Sequence, residues 1–185
     1  MRSFTWIGLV TGALLPAGPV RAQPVIIDSE LATAYHFVDH YEILIDAPAE
    51  VVWPQLLDLR AWMEGFDYTL VAGTPHTEGA VMRLYESQDF LVEIVKIIPQ
   101  KLLVLVNLPS VMQGEESTGL AMLTLTDVDG KTLVASFMSR QYYWPLAEPN
   151  PFRARRESAE YQEFNRAGWE ERMLPRLRAL VEGQP

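Results

Sequence analysis

The chain has 185 residues, a formal charge of −9 and no cysteine. Its length fits one domain that buries roughly 70% of the surface its unfolded chain exposes. Without cysteine there are no disulfide staples and no thiolate metal or redox chemistry. The acidic balance repels phosphate backbones and anionic membrane faces, so a nucleic-acid partner is not expected.

Residues 1–22 read as a signal peptide. Arg2 gives a positive start, Phe4 to Leu15 form an apolar run, and Val20-Arg21-Ala22 places modest side chains where a signal peptidase reads them. The run is shorter than the ~20 residues that cross a bilayer. It has no twin-arginine pair and no cysteine at the cleavage site, so export looks Sec-like and a lipoprotein anchor is excluded. Cleavage after Ala22 removes Arg2 and Arg21 and lowers the formal charge by two more. The expected location is the periplasm or the medium, with no stable membrane insertion after cleavage.

Residues 23–37 form a lead-in, and residues 38–183 a single domain. Tyr41, Ile43 and Ile45 alternate with Glu42 and Asp46, the period-2 pattern of a half-buried strand. Ala47-Pro48-Ala49-Glu50 opens a helix, because proline suits a first turn whose N–H groups lack partners anyway. Pro54 keeps that helix short or bent. A second short helix containing Trp62 and Met63 ends at Gly65.

Six more strands follow, over residues 67–73, 79–87, 90–98, 101–108, 119–128 and 131–142. Turn-prone residues separate them: Thr74 to Gly79, Pro99-Gln100, and Asp129-Gly130, the pair a tight type I′ hairpin prefers. Such short connections predict an antiparallel meander rather than alternating βαβ units. Asn150-Pro151 then starts a long helix running to about Glu182. Its apolar residues Tyr161, Phe164, Trp169, Met173, Leu177 and Leu180 fall at spacings of three to five, a face that drifts around the helix, and Pro175 is expected to kink it.

This order resembles the helix-grip fold of the START/SRPBCC superfamily, which includes polyketide cyclase-like proteins. Two stretches carry the likeness: Tyr41-Glu42-Ile43-Leu44-Ile45-Asp46-Ala47-Pro48-Ala49-Glu50-Val51-Val52-Trp53 with the later Leu56 and Trp62, and Gly168-Trp169-Glu170 followed by Leu174, Leu177 and Leu180. The resemblance implies an α+β fold, a seven-stranded curved antiparallel sheet wrapped around a long C-terminal helix, with two short helices after the first strand. It also implies a cavity between sheet and helix. Trp62, Tyr85, Phe137, Tyr143 and Phe164 are the candidates for its wall. Fold of this kind does not fix function.

No catalytic motif accompanies the fold, no cofactor is implied, and no metal site is expected. His36 and His40 are four apart, but in a strand that spacing separates them by about 13 Å. His76 falls in a predicted turn. Glu115-Glu116, the nearest approach to a carboxylate pair, is placed in the loop before the sixth strand, where adjacent side chains mostly face water. Arg153, Arg155 and Arg156 open the last helix against its dipole, with Glu157 and Glu160 spaced to pair with them.

Glu86, Glu93, Asn107 and Arg140 interrupt apolar strands. Each either faces solvent on the outer side of the sheet or lines the cavity, where it would orient a ligand or polarise a carbonyl. Residues 102–108 are apolar on both faces, so the outer face is expected to be covered by a second subunit or by the lead-in. Three functions compete. The first is an exported carrier or sensor for a small hydrophobic or amphipathic molecule, and the second a cyclase- or dehydratase-like enzyme. The third is an interaction protein with a filled core. An inner cavity without charges points to the first, and one containing a desolvated carboxylate or arginine to the second.

Overall fold

A computed structural model of the chain describes residues 32–63, 65–84, 90–112, 115–145, 155 and 157–183. The elements are β1 (Ala32–Ile45), α1 (Ala49–Leu57), α2 (Leu59–Trp62), β2 (Tyr68–Ala72), β3 (Val81–Leu84), β4 (Phe90–Ile98), β5 (Leu102–Met112), β6 (Glu115–Val128), β7 (Lys131–Pro145), and two helices, α3 (Ala159–Ala167) and α4 (Leu174–Glu182), joined by a π-helical turn over Gly168–Met173. One seven-stranded antiparallel sheet has the order β1-β7-β6-β5-β4-β3-β2. The meander expected from the turns is therefore present, and β1 closes it by pairing with β7.

Local chemistry accounts for the connections. Asp129 and Gly130 both take positive φ, 54° and 80°, as a type I′ turn requires. Gly65 ends the α2 region with φ 73°. In β4 the register shifts between Ile94 and Lys96, which leaves Val95 and Lys96 both exposed and returns Ile97 towards the core. In β5 a second shift lies between Asn107 and Ser110, around Pro109, whose missing N–H cannot join a ladder.

Three strand boundaries differ from the sequence expectation by four residues or more. β1 starts at Ala32, inside the predicted lead-in, because the long β7 offers it a ladder as far as Pro145. β5 runs on to Met112 and β6 begins at Glu115, so Glu115 and Glu116 belong to a strand and not to a loop; Glu116 pairs with Val111 and Tyr143. The helix start at Asn150-Pro151, Tyr85 and Glu86 lie outside the described residues.

The core sits between the inner face of the sheet and the helices. Ile45, Val134, Leu125, Leu123, Leu103, Leu105, Ile94, Val92, Met82 and Leu84 meet Val52 and Leu56 of α1, Trp62 of α2, and Trp169, Leu174 and Leu177 of the last helix. Buried Thr132 donates its hydroxyl to the carbonyl of Ala47 at 2.7 Å and fixes the turn after β1. The backbone N–H of Asp46 donates to Glu182 at 3.1 Å, tying that turn to the end of α4.

The expected kink at Pro175 takes a specific form. In a regular helix the proline ring would meet the carbonyl of Glu171, four residues back. The π turn just before it widens the helix, and the N–H of Leu174 donates to Trp169, five residues back. Gly168 is buried there, yet a Cβ added to it meets only the ends of Arg172, at 3.4 Å, and Met173, at 3.7 Å. No close approach of helix and sheet backbones explains this glycine.

Candidate ligand site on the inner face of the sheet

Side-chain alternation and the strand registers decide which polar strand residues face the helix. Val134 and Ser136 are buried on the inner face, so Met138 and Arg140 share that face further along β7. Arg140 pairs with Gly119 of β6, and Gly119 with Asn107 of β5. Arg140 and Asn107 thus flank Gly119 on the same face. A Cβ on Gly119 would lie 3.0 Å from Cγ of Arg140, 3.0 Å from the Ser139 carbonyl and 3.1 Å from Nδ2 of Asn107. The missing side chain leaves room for the aliphatic stem of Arg140 and the amide of Asn107.

The Arg140 guanidinium carbon lies 6.0 Å from the centroid of the buried Phe90 ring on β4. Among the described residues no carboxylate forms an ion pair with Arg140, and no group bonds the Asn107 side-chain amide. Both residues are half-buried. Glu93 is different: Val92 and Ile94 are inner and buried, so Glu93 belongs to the outer face.

A second polar group stands on the β1 side. Asn165 of α3 donates from Nδ2 to Asp39 Oδ2 and to the Tyr41 hydroxyl, both at 3.0 Å. Tyr41 stacks on Trp169 with centroids 5.7 Å apart and planes at 6°. Burial pushes the Tyr41 hydroxyl above its ordinary value of 10.0, the Asp39 carboxylate adds to this, and the Asn165 hydrogen bond opposes it. A raised acid pKa in the folded state stabilises the fold below the unfolded value and loses that contribution as pH rises through the folded one. Wild-type stability is therefore expected to fall above about pH 10, more steeply than that of Tyr41→Phe. Urea unfolding across the alkaline range checks this.

Of the residues chosen from sequence as cavity wall, Trp62, Phe137 and Phe164 are not brought together. Trp62 is fully buried in the core, its indole N–H donating to the Leu56 carbonyl at 3.1 Å. Phe137 pairs with His40 and Met122 at an odd position of β7, on the outer face away from the helix. Phe164 is 66% exposed, with the Arg172 guanidinium carbon 5.7 Å from its ring. Tyr143 lies in β7 opposite Ala34 and Glu116. The residues that do come together form two groups on the inner face, Asn107, Gly119 and Arg140, and Asp39, Tyr41 and Asn165.

The remaining candidates stay apart from this face. His36 and His40 both lie in β1, and His40 Nε2 is 3.2 Å from Glu42. His76 is exposed in a turn with φ 60°. Arg155 lies over Tyr161, 5.8 Å from the ring centroid, while Arg153 and Arg156 are outside the described residues. An open hollow of about 260 Å³ on the outer face is lined by Val106, Thr118, Leu120, Ser139 and Gln141, with backbone of Gly119. Another, of about 240 Å³, lies between Arg60 and Arg176 beside α2.

Neither a family model nor a curated protein sequence matches the chain. Solved structures do. Ara h 8.0201 is similar at a TM-score of 0.55 and 12% identity, covering 80% of this chain and 99% of its own. A protein of unknown function from Staphylococcus aureus, SA2116, gives 0.55 and 12%, covering 81% and 96%. An uncharacterised protein from Rhizobium leguminosarum gives 0.53 and 15%, covering 83% and 99%. At such identities the likeness concerns architecture, and it agrees with the element order above: the chain has an α+β helix-grip fold.

Proposed function

We propose that this chain is an exported binding protein that holds a small hydrophobic or amphipathic molecule between the inner face of its sheet and the C-terminal helix. The observation that carries this reading is a change of accessibility along that face. Towards α1 and α4 it is sealed: Leu103, Leu123, Val134 and Ser136 are all buried. A few residues further along the same strands, Asn107, Gly119, Ala121, Met138 and Arg140 are only half-buried. Apolar walls with a few convergent polar groups are the ordinary make-up of a small-molecule site. The export component rests on residues 1–22 alone.

A second reading, a cyclase- or dehydratase-like enzyme, is favoured by Arg140 on the inner face, the position at which it would polarise a substrate carbonyl. Arginine does not itself exchange protons, so that chemistry would need Asp39 or Tyr41, and Asn165 already engages both. Binding therefore stands first.

Native mass spectrometry of the full chain, expressed in a bacterium and recovered from the periplasm, tests the proposal in one measurement. The expected protein mass is that of a chain starting at Gln23, accompanied by a reproducible small apolar adduct that organic extraction releases. An uncleaved cytosolic chain would remove the export component, and an adduct-free mass after gentle purification would count against the carrier.

A further inference from the structure

Resting on that binding reading, we infer that the ligand carries one carboxylate. The Arg140 guanidinium and the Asn107 amide hold it, with its apolar body along Phe90, Val92, Leu105 and Met138. The register puts these groups on one face of four neighbouring strands. Phe90, Val92 and Leu105 are buried, and Met138 packs against the core. The polar pair is therefore attached to an apolar surface, as an amphipathic molecule requires.

The electrostatics select the head group. With a formal charge of −9 the chain repels anions at long range, so affinity for one must come from local contact. Arg140 supplies that contact. The residue is half-buried, and its guanidinium has no carboxylate partner among the described residues and offers a fork of donors that fits a carboxylate. Asn107 adds a neutral donor, its Nδ2 3.1 Å from where a Cβ on Gly119 would lie. One cation and one amide match a single negative charge. The second charge of a phosphate monoester would meet no further cation among the described inner-face residues, and Asp39 stands one register step along the same face.

Trp fluorescence titration of the full chain with dodecanoate, dodecanol and dodecyl phosphate tests the assignment, above the carboxylate titration range and below each micelle threshold. Dodecanoate is expected to bind about ten- to a hundredfold tighter than dodecanol, the usual worth of a charge-assisted pair. Arg140→Met should bring dodecanoate down to about the dodecanol level, with Arg140→Lys in between. If Arg140→Met does not fold, Asn107→Leu serves, with a smaller loss confined to dodecanoate. Equal wild-type affinity for dodecanoate and dodecanol would overturn the head-group assignment and leave the binding proposal standing. Tighter binding of dodecyl phosphate would overturn the choice of carboxylate. No binding of any of the three would defeat both.

Discussion

Replacing Trp169 with alanine is expected to lower the unfolding free energy by about 3–5 kcal/mol, the range for truncating a buried aromatic. Trp169 is 4% exposed at the π turn. One face of its ring stacks on Tyr41 of β1, and its edge meets Trp62 at 6.3 Å and 62°. These contacts join the last helix both to the sheet and to α2, so truncation opens a cavity where three elements meet. Trp169→Phe keeps part of the ring and should cost clearly less. Urea unfolding reads the difference as a lower midpoint at unchanged slope. A loss below about 1 kcal/mol for the alanine variant would mean that the helix does not grip the sheet through this residue.

The second large effect is expected at Trp62, where alanine should again cost about 3–5 kcal/mol. Trp62 is completely buried and closes α2. Its indole N–H also meets the carbonyl of Leu56, one of the last carbonyls of α1, which the helix itself cannot satisfy. Trp62→Phe isolates that bond. The ring volume is largely kept while the carbonyl loses its donor, at a cost of about 1–3 kcal/mol. Because Trp62 and Trp169 touch, the double alanine variant should cost less than the sum of the two, by about 0.5–1.5 kcal/mol. Strict additivity would show that the edge contact carries no energy of its own.

The architecture was legible because its punctuation is chemical. Asp129-Gly130 states a hairpin by its tolerance of positive φ, and Pro48 and Gly65 mark the helix limits after β1. The π turn was visible only as a discordant spacing. Trp169 and Leu174 are five residues apart and both buried, which regular α-helical geometry does not allow on one face. The same arithmetic misplaced Phe164: five residues before Trp169, it lies about 140° around an α-helix and ends up mostly in solvent.

The site was less legible for a different reason. Phe137 was selected for being large and apolar, a criterion blind to which face of a strand it occupies. Parity within β7 cannot decide this, since residues 133–138 are apolar or small on both sides. Only the register does, through Ile43 opposite Val134. One signal for the inner polar pair was nonetheless present: Gly119, a glycine inside an otherwise well-formed strand, marks a place where something must come close.

The pairing of β1 with β7 sets an order in time. The first strand of the sheet to leave a ribosome has its sheet neighbour, among the described residues, in the last strand to follow, with Ala32 opposite Pro145. Until then the N–H and C=O groups along that edge of β1 lack their ladder partners. Sheet formation must begin among the local hairpins from β2 to β7 and recruit β1 late, the slow, non-local step of such folds. A nascent chain of this design is open to misassociation for most of its synthesis.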